Sequence, residues 1–544
     1  MRPFRKRPSR VTSDSTARPS APAHSSWLPR LMAAFAGVAT ALAHPPWGLL
    51  PGLLGYCLMF VAIDRPAPGH PLRSAFFRGW LSGCGYFLVS LIWLAQPFYV
   101  DAKEQGWMAP FAVAGVVAGM ALFWGAAAVL YTLLKSKGVL RVLLFAGALS
   151  AFEWLRGHVL TGFPWNLAGE TWRAGSPPSQ AAAGVGAYGL TWLTLVVFTS
   201  PAVVLEGRRG RALLTVAAVI AGAIWIAGAV RLATPYPNGA RAPWIRIVQA
   251  DVKQETKYDP ELLRSIVGRY IDLTGRPSDH PIDIVVWPEG AIPIAFDDYL
   301  TADSWISSAI GAVLKPGQTL LVGGYHWTAP AGGAPVAYNS MAAVRRSAMG
   351  LAVGGFYDKY RLVPFGEFMP LDSLASRLGI KQFVHVGDGF AAGPRPRPMQ
   401  LTGLPAVQPL ICYESLFPGF TRDGAALSHL RPAWIVNVSN DAWFGSGSGP
   451  PQLLNIASYR AIEEGLPVVR ATPTGISAVI DAFGRTIPSQ TLGEGAFGVI
   501  DAPLPPALQP TLYSRFGELP FLLMLLASLS GARLEALRRG GARR

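Results

Sequence analysis

Seven apolar stretches recur before residue 233, at roughly 31–44, 47–63, 75–95, 108–134, 139–155, 187–205 and 211–232, and an eighth, LPFLLMLLASLSGA, lies at 519–532. No single water-soluble core absorbs so many. Several approach the ~20 residues that a helix needs to cross a bilayer, although the first two are short. Only 15% of the 544 residues are charged, against about 25% in soluble domains. A large part of the chain is therefore expected in lipid, and a very hydrophobic soluble helical protein is the weaker alternative. The opening 26 residues, basic and rich in Pro and Ser, read as a disordered tail. A cleaved signal peptide does not fit, because the apolar run that follows continues into further membrane segments.

The net charge of +15 does not point to nucleic acid, because the basic residues gather at the two ends and between apolar runs instead of covering a globular surface. Lys and Arg in short connections mark the cytoplasmic side. Arg5, Lys6, Arg7 and Arg10 lie in the N-terminal tail, Arg65 and Arg73 after the second run, Lys135, Lys137 and Arg141 after the fourth, and Arg208, Arg209 and Arg211 after the sixth; the chain ends RRGGARR. All share one side if about eight helices cross. Treating 31–63 as one span breaks the alternation. The expected organisation is a basic cytoplasmic tail (1–26), a membrane domain of about seven helices (27–235), an outer domain (240–505), and a final helix with a basic cytoplasmic tail (506–544). Glu153, Arg156 and His158 fall near one helix end, which suits an interfacial role better than the conduction path of a transporter.

The outer region has a different texture. Short β-like runs, WIRIVQA (244–250), IDIVVW (282–287), TLLVGG (319–324), AVQPLI (406–411) and AWIVNVS (433–439), alternate with helix-like segments at 259–275 and 452–465. Nearly all-apolar strands imply sheets covered on both faces, hence a layered α/β domain, and about 265 residues suffice for its own core. In such folds sites form at the carboxyl ends of strands. Glu289 follows the second run, Cys412 the fourth and NDAWFG (440–445) the fifth, while YDKYRLVPFGEFMP (357–370) carries Lys359 and Glu367. Three cysteines, Cys57, Cys84 and Cys412, make no disulfide framework, and no CxxC occurs, so no structural zinc is expected. A lone thiol is by default a small core hydrophobe, and a redox or metal ligand and a nucleophile are the other readings. With a glutamate as base and a lysine favouring thiolate and oxyanion, Glu, Lys and Cys form a chemically sensible set. His280, His326, His385 and His429 lie in no motif that would make a Cys-His pair.

VVWPEG, YDKYRLVPFGEFMP and ICYESLFP, in that order, resemble the glutamate, lysine and cysteine motifs of the nitrilase superfamily. The likeness is closer still to its membrane-bound branch, the apolipoprotein N-acyltransferases, and spans about 28 to 535, including FEWLRGHVLTGFPWN (152–166) and NVSNDAWFG (437–445). The resemblance implies a multi-pass helical membrane domain plus an α-β-β-α sandwich facing the periplasm, anchored in the cell inner membrane with both termini cytoplasmic. It also implies that Glu289 is the general base, Lys359 the oxyanion stabiliser and Cys412 the nucleophile, with Glu367, Tyr413 and Glu414 supporting and Tyr258 and Trp443 in aromatic substrate contacts. Neither metal nor cofactor is implied. The implied reaction moves an acyl chain from a phospholipid, through a Cys412 thioester, to the α-amine of a diacylated apolipoprotein. A membrane-tethered amidase or nitrilase, with water as acceptor, is the rival. Tyr258 stands where the family usually has Trp, and Leu453 where it tends to have a Gln-His pair. NDAWFG suits either a mobile loop over the membrane mouth or an ordinary packed turn. Nitrilase relatives often oligomerise, but a membrane-embedded member is expected to be a monomer.

Overall fold

A computed structural model describes residues 27–236, 242–329, 333–369 and 389–541. The expected tail 1–26 lies outside them, as do His385 and the last three residues of the basic C-terminus. Numbering only the longer helices, the first half comprises α1 (Leu28–Ala41), α2 (Gly55–Asp64), α3 (Pro71–Ser90), α4 (Ala109–Leu134), α5 (Arg141–His158), α6 (Ala182–Thr199) and α7 (Arg208–Leu232). Each matches one of the apolar runs. Proline at the first turn of α1, α3 and α4 costs no hydrogen bond there and presets φ. Small residues let the helices touch: a Cβ on Gly83 of α3 would fall 2.8 Å from the Ala121 Cα of α4, the close approach typical of helices packed in lipid.

Among the described residues three helical stretches, Ala102–Leu134, Pro178–Val203 and Arg208–Leu232, are long and apolar enough to cross a membrane, and Pro71–Ser90 with Ile92–Tyr99 makes a fourth if that pair, bent by 48°, is one span. Length and composition therefore do not establish the eight crossings that the charge pattern predicts. α1, at 1.5 Å per residue, reaches only about 21 Å, and α5 carries buried Glu153 and Arg156. These two form an ion pair, and Arg156 also donates to Phe163 O and, at 3.1 Å, to Trp165 O. They knit the segment 159–166 from within. At the opposite end of the bundle, Arg141 bonds Glu206 (2.9 Å) and Asp64 (3.2 Å), Lys135 reaches Asp64 (3.4 Å), and Leu140 N donates to Glu535 (3.1 Å). The links after α2, α4 and α6 and the last helix thus meet at one end.

The second half is a sandwich of two six-stranded sheets. One runs β12-β1-β2-β3-β4-β5 and the other β11-β10-β9-β8-β7-β6, with β1 (Trp244–Gln249), β2 (Ile284–Trp287), β3 (Thr319–Thr328), β4 (Val336–Ser347), β5 (Gly350–Asp358), β6 (Met399–Leu401), β7 (Leu404–Ile411), β8 (Trp434–Val438), β9 (Val468–Ala471), β10 (Ser477–Ile480), β11 (Thr486–Leu492) and β12 (Gly498–Pro503). β1-β2-β3 and β7-β8-β9 are parallel, and the remaining neighbours antiparallel. Alternate side chains do separate jobs. Ile245, Ile247, Ile284 and Val286 meet Val407, Ile411, Val436 and Val469 between the sheets. Val248, Val285 and Trp287 face outward onto α8 (Leu263–Thr274) and α9 (Trp305–Val313). The outer face of the second sheet is covered by α10 (Phe420–Ser428) and α11 (Gly449–Glu464), and its core runs on into that of the helical half. α12 (Leu519–Gly541) closes the chain against α5 and α6.

α11 is the hinge pin between the halves. Gln452, Asn455, Tyr459 and Glu463 recur every three or four residues, so they share one helical face. They bond Trp165 Nε1 (2.8 Å), Ala174 N (2.8 Å), Gly169 O (2.9 Å) and Ala187 N (2.8 Å) respectively. Leu453 is buried in the apolar core instead.

Candidate active site

Four strand ends converge. The chain leaves β2 through Pro288 into Glu289, leaves β5 into Lys359, leaves β7 into Cys412, and leaves β8 through Ser439 into Asn440. Because β2, β7 and β8 are parallel members of facing sheets, their carboxyl ends open to the same side, where a layered α/β fold concentrates its chemistry.

The Glu289 carboxylate is held by three donors. Oε1 accepts from Lys359 Nζ (3.2 Å) and Asn339 Nδ2 (2.8 Å), and Oε2 from the backbone N of Asn440 (2.8 Å). Lys359 Nζ also donates to Glu367 Oε1 at 2.8 Å, Asn339 bridges to the same oxygen at 2.6 Å, and Val363 N donates to Glu367 Oε2 at 2.8 Å. Glu289, Lys359 and Glu367 thus form one buried network of two carboxylates and one ammonium. Burial raises the Glu289 carboxyl, but the Lys359 charge and the bonds from Asn339 and Asn440 outweigh it, so Glu289 titrates below the ordinary range. Burial pushes Lys359 down, but the Glu289 and Glu367 carboxylates overcome this and raise it above a normal lysine. Both stay ionised at neutral pH.

Cys412 sits at the turn where β7 passes into the short helix Cys412–Leu416, with φ of +48°. A non-glycine residue in this left-handed region stores about 1–3 kcal/mol of strain and persists only where its surroundings impose it. Here the imposing group is Glu414. Its wholly buried carboxylate accepts from Ile411 N (2.8 Å), Tyr360 N (2.8 Å), Arg361 N (3.1 Å) and Tyr357 OH (3.0 Å). One side chain therefore fixes both the cysteine turn and the segment just past Lys359. Burial pushes Glu414 up to about 7 although the backbone N–H groups of Ile411 and Arg361 oppose it. Burial, followed by the Glu289 charge, pushes the Cys412 thiol up to about 12 despite Lys359 and Ser439. At rest the site holds a neutral thiol facing an anionic carboxylate and a cation.

Tyr413 does not touch the carboxylate network. Its hydroxyl donates to Gly162 O in the helical half, and Arg361 Nη1 donates to Thr161 O at 3.1 Å, so the Cys412 turn is moored to the segment 159–166. Of NDAWFG, Asn440 supplies a bond to Glu289 and Phe444 packs edge-on against Trp93 at 4.6 Å, with Trp93 and Trp165 4.5 Å apart. This end is a packed turn, while Trp443 remains partly exposed. Tyr258 is also exposed and follows buried Lys257. Neither Trp443 nor Tyr258 bonds the three central residues directly. His280 stacks on Trp244 and His326 pairs with Asp358, both away from Cys412.

Sequence reasoning overlooked Asn339, Tyr357 and the backbone N–H of Asn440. Asn339 is a polar residue inside the largely apolar β4, which was a usable signal. The Asn440 N–H carries no side-chain signature at all.

The helical half matches the apolipoprotein N-acyltransferase N-terminal domain over residues 36–200, and the sandwich matches the carbon-nitrogen hydrolase domain over 245–511. An apolipoprotein N-acyltransferase of Caulobacter vibrioides is 52% identical over 504 residues, covering 92% of this chain and 94% of that protein. One of Bradyrhizobium diazoefficiens is 37% identical over 529 residues, covering 94% and 96%. Among solved structures, an amidase from Nesterenkonia sp. aligns over 49% of this chain and 93% of its own at 17% identity, with a TM-score of 0.34. Both halves, in their order and nearly at full length, find the same relatives: the chain belongs to the apolipoprotein N-acyltransferase family.

Proposed function

We propose that the protein N-acylates lipoproteins by way of a thioester on Cys412. The observation that carries this reading is the meeting of Cys412 with the Glu289–Lys359–Glu367 network at the strand ends, moored to the helical half. In the first step the Cys412 sulfur attacks an ester carbonyl of a membrane phospholipid as its proton passes to Glu289. Lys359 stabilises the oxyanion, and Glu289 returns the proton to the departing lysophospholipid oxygen. In the second step the neutral α-amine of an S-diacylglyceryl-cysteine attacks the thioester, Glu289 takes a proton from the amine and passes it to the departing sulfur, which leaves as the thiol while Glu289 returns to the carboxylate. The raised thiol pKa does not block the first step, because proton transfer and S–C bond formation proceed together and no free thiolate accumulates. Glu367 and Glu414 position the ammonium and the nucleophile, Tyr413 anchors the turn, and Tyr258 and Trp443 are offered as aromatic contacts for lipid chains.

The acceptor distinguishes this reading from hydrolysis. Protein charged with phospholipid is expected to hold an acyl adduct on Cys412 that is stable in water for many turnovers' duration, that hydroxylamine releases, and that a diacylated lipopeptide with a free α-amine discharges. An N-acetylated lipopeptide should leave it in place. Discharge to water at the same rate with or without lipopeptide, followed by intact-mass spectrometry, would instead identify a membrane-tethered amidase-type hydrolase.

The domain limits 27–235, 240–505 and 506–544, the eight crossings, the inner-membrane location and the monomeric state belong to the same proposal. The joining of the basic links by Arg141, Asp64, Glu206 and Glu535 at one end supports it, because alternating crossings require those links to share a side. Reporters fused within 250–500 are expected to be active only in the periplasm and reporters at Arg544 only in the cytoplasm. A cytoplasmic signal from within 250–500 would overturn the topology.

A further inference from the structure

Lys257 is 3% exposed and lies beside the catalytic carboxylate, on the loop after β1. Gly290, the residue after Glu289, has φ of +59°, and a Cβ there would fall 2.5 Å from Lys257 Nζ. The bare glycine is therefore what admits the ammonium to this place. Among the described residues Lys257 makes no hydrogen bond and no ion pair; Nζ lies over the face of Tyr258, 5.8 Å from the ring centre. The two acids nearby are already engaged, since Glu289 accepts from Lys359, Asn339 and Asn440 N, and Glu367 from Lys359, Asn339 and Val363 N.

A nearly buried cation without a partner costs free energy. Burial pushes Lys257 down to about 8, with Glu289 only partly opposing it, as expected of a cation whose counter-charge has yet to arrive. Resting on the acyl transfer proposed above, we infer that the Lys257 ammonium is the binding site for the phosphodiester anion of the phospholipid acyl donor. The reacting ester of a glycerophospholipid is separated from its phosphodiester only by the glycerol bridge. With the ester carbonyl at Cys412 and Glu289, the phosphate reaches the residue next to Glu289. An arriving phosphodiester completes the ion pair that the fold leaves open, and a charge-assisted bond of this kind discriminates against esters that have no anion.

The test compares two acyl donors on the full-length protein in detergent: phosphatidylethanolamine, and p-nitrophenyl palmitate, which has the acyl ester without the phosphate. Acyl-enzyme formation on Cys412 is followed by intact-mass spectrometry as a function of donor concentration. Lys257→Met is expected to raise the half-saturating phosphatidylethanolamine concentration roughly ten- to a hundred-fold, the effect of losing one hydrogen bond to a charged group. It should change the p-nitrophenyl palmitate reaction by less than about two-fold, the same charged bond being absent there. Lys257→Arg, which keeps the cation, should restore most of the phospholipid affinity. Equal losses with both donors would overturn the inference, because Lys257 would then act through Glu289 or by holding its loop; so would no loss with either. Wild-type protein that accepts p-nitrophenyl palmitate but no phospholipid would defeat the donor assignment itself, and the inference with it.

Discussion

Cys412→Ala is expected to abolish acyl-enzyme and product together, with no detectable adduct after prolonged incubation with phospholipid. Among the described residues no other thiol lies in the site. Cys57 and Cys84, the remaining cysteines, lie on α2 and α3 of the helical half, and Ser439 is committed to Asp441 at 2.7 Å. Covalent catalysis replaces one difficult displacement by two easier ones, so its loss is not partial. The alanine also fits where the thiol was, in a turn imposed by Glu414, and the variant should fold with unchanged thermal stability to within about 1 kcal/mol. Transfer of a labelled acyl chain to lipopeptide at a rate near wild type, measured by thin-layer chromatography, would refute the thioester mechanism.

Removing Lys359 should be nearly as severe, and for two reasons that one experiment separates. Losing an oxyanion donor costs roughly 10²–10³ in rate. In addition Lys359→Ala leaves Glu289 and Glu367 facing each other with only Asn339 between them, and two adjacent carboxylates cannot both ionise easily. In the wild type the Glu289 carboxyl titrates low, burial being outweighed by Lys359 and the hydrogen bonds, so the carboxylate is ionised throughout the neutral range. Without Lys359 its pKa must rise, and the acid limb of the single-turnover acylation rate should move to higher pH. The residual rate should therefore climb with pH where the wild type is level. A flat profile with the same loss would assign Lys359 to the oxyanion alone. Glu289→Gln, expected to cost ~10²–10⁴, is a less neutral change than its shape suggests. All three groups around Glu289 are donors, so a glutamine amide must turn its own N–H groups toward at least one of them.

The sequence reading reached the architecture because its two signals were physically separate. Lipid selects long apolar runs, and doubly covered sheets select short ones; both survive without any long-range information. β1, β2, β3, β7 and β8 were therefore legible. β4 and β5 were not, since GLAVGGFYD is too rich in glycine to read as a strand and is held by pairing with β4 across the hairpin. That Glu289, Lys359 and Cys412 belong together was legible because each sits in a distinctive local string. What joins them was not. Asn339 bridges Glu289 and Glu367 from a different strand, and Asn440 acts through its backbone. Lys257 was passed over because a lysine in a polar loop gives no hint that Gly290, more than thirty residues away in sequence, opens a buried niche for it. The count of crossings shows the reverse weakness: the charge pattern suggests eight, while helix length alone supports three or four.

β1 and β12, the strands by which the sandwich begins and ends, are paired neighbours from Trp244 opposite Pro503 to Gln249 opposite Gly498. The polypeptide thus comes in and goes out at a single edge, about 5 Å apart, as in domains that tolerate insertion into a host chain. Cut at that edge, the sandwich is a cassette whose two loose ends a short linker could rejoin, and the host is a set of helices that would close over the gap between α7 and α12. The geometry makes the sandwich and the helical scaffold separable parts of one chain, and swapping either for a relative's counterpart asks that the polar face of α11, the Tyr413 and Arg361 bonds to the segment 159–166 and the Phe444–Trp93 contact be carried across as a matched set.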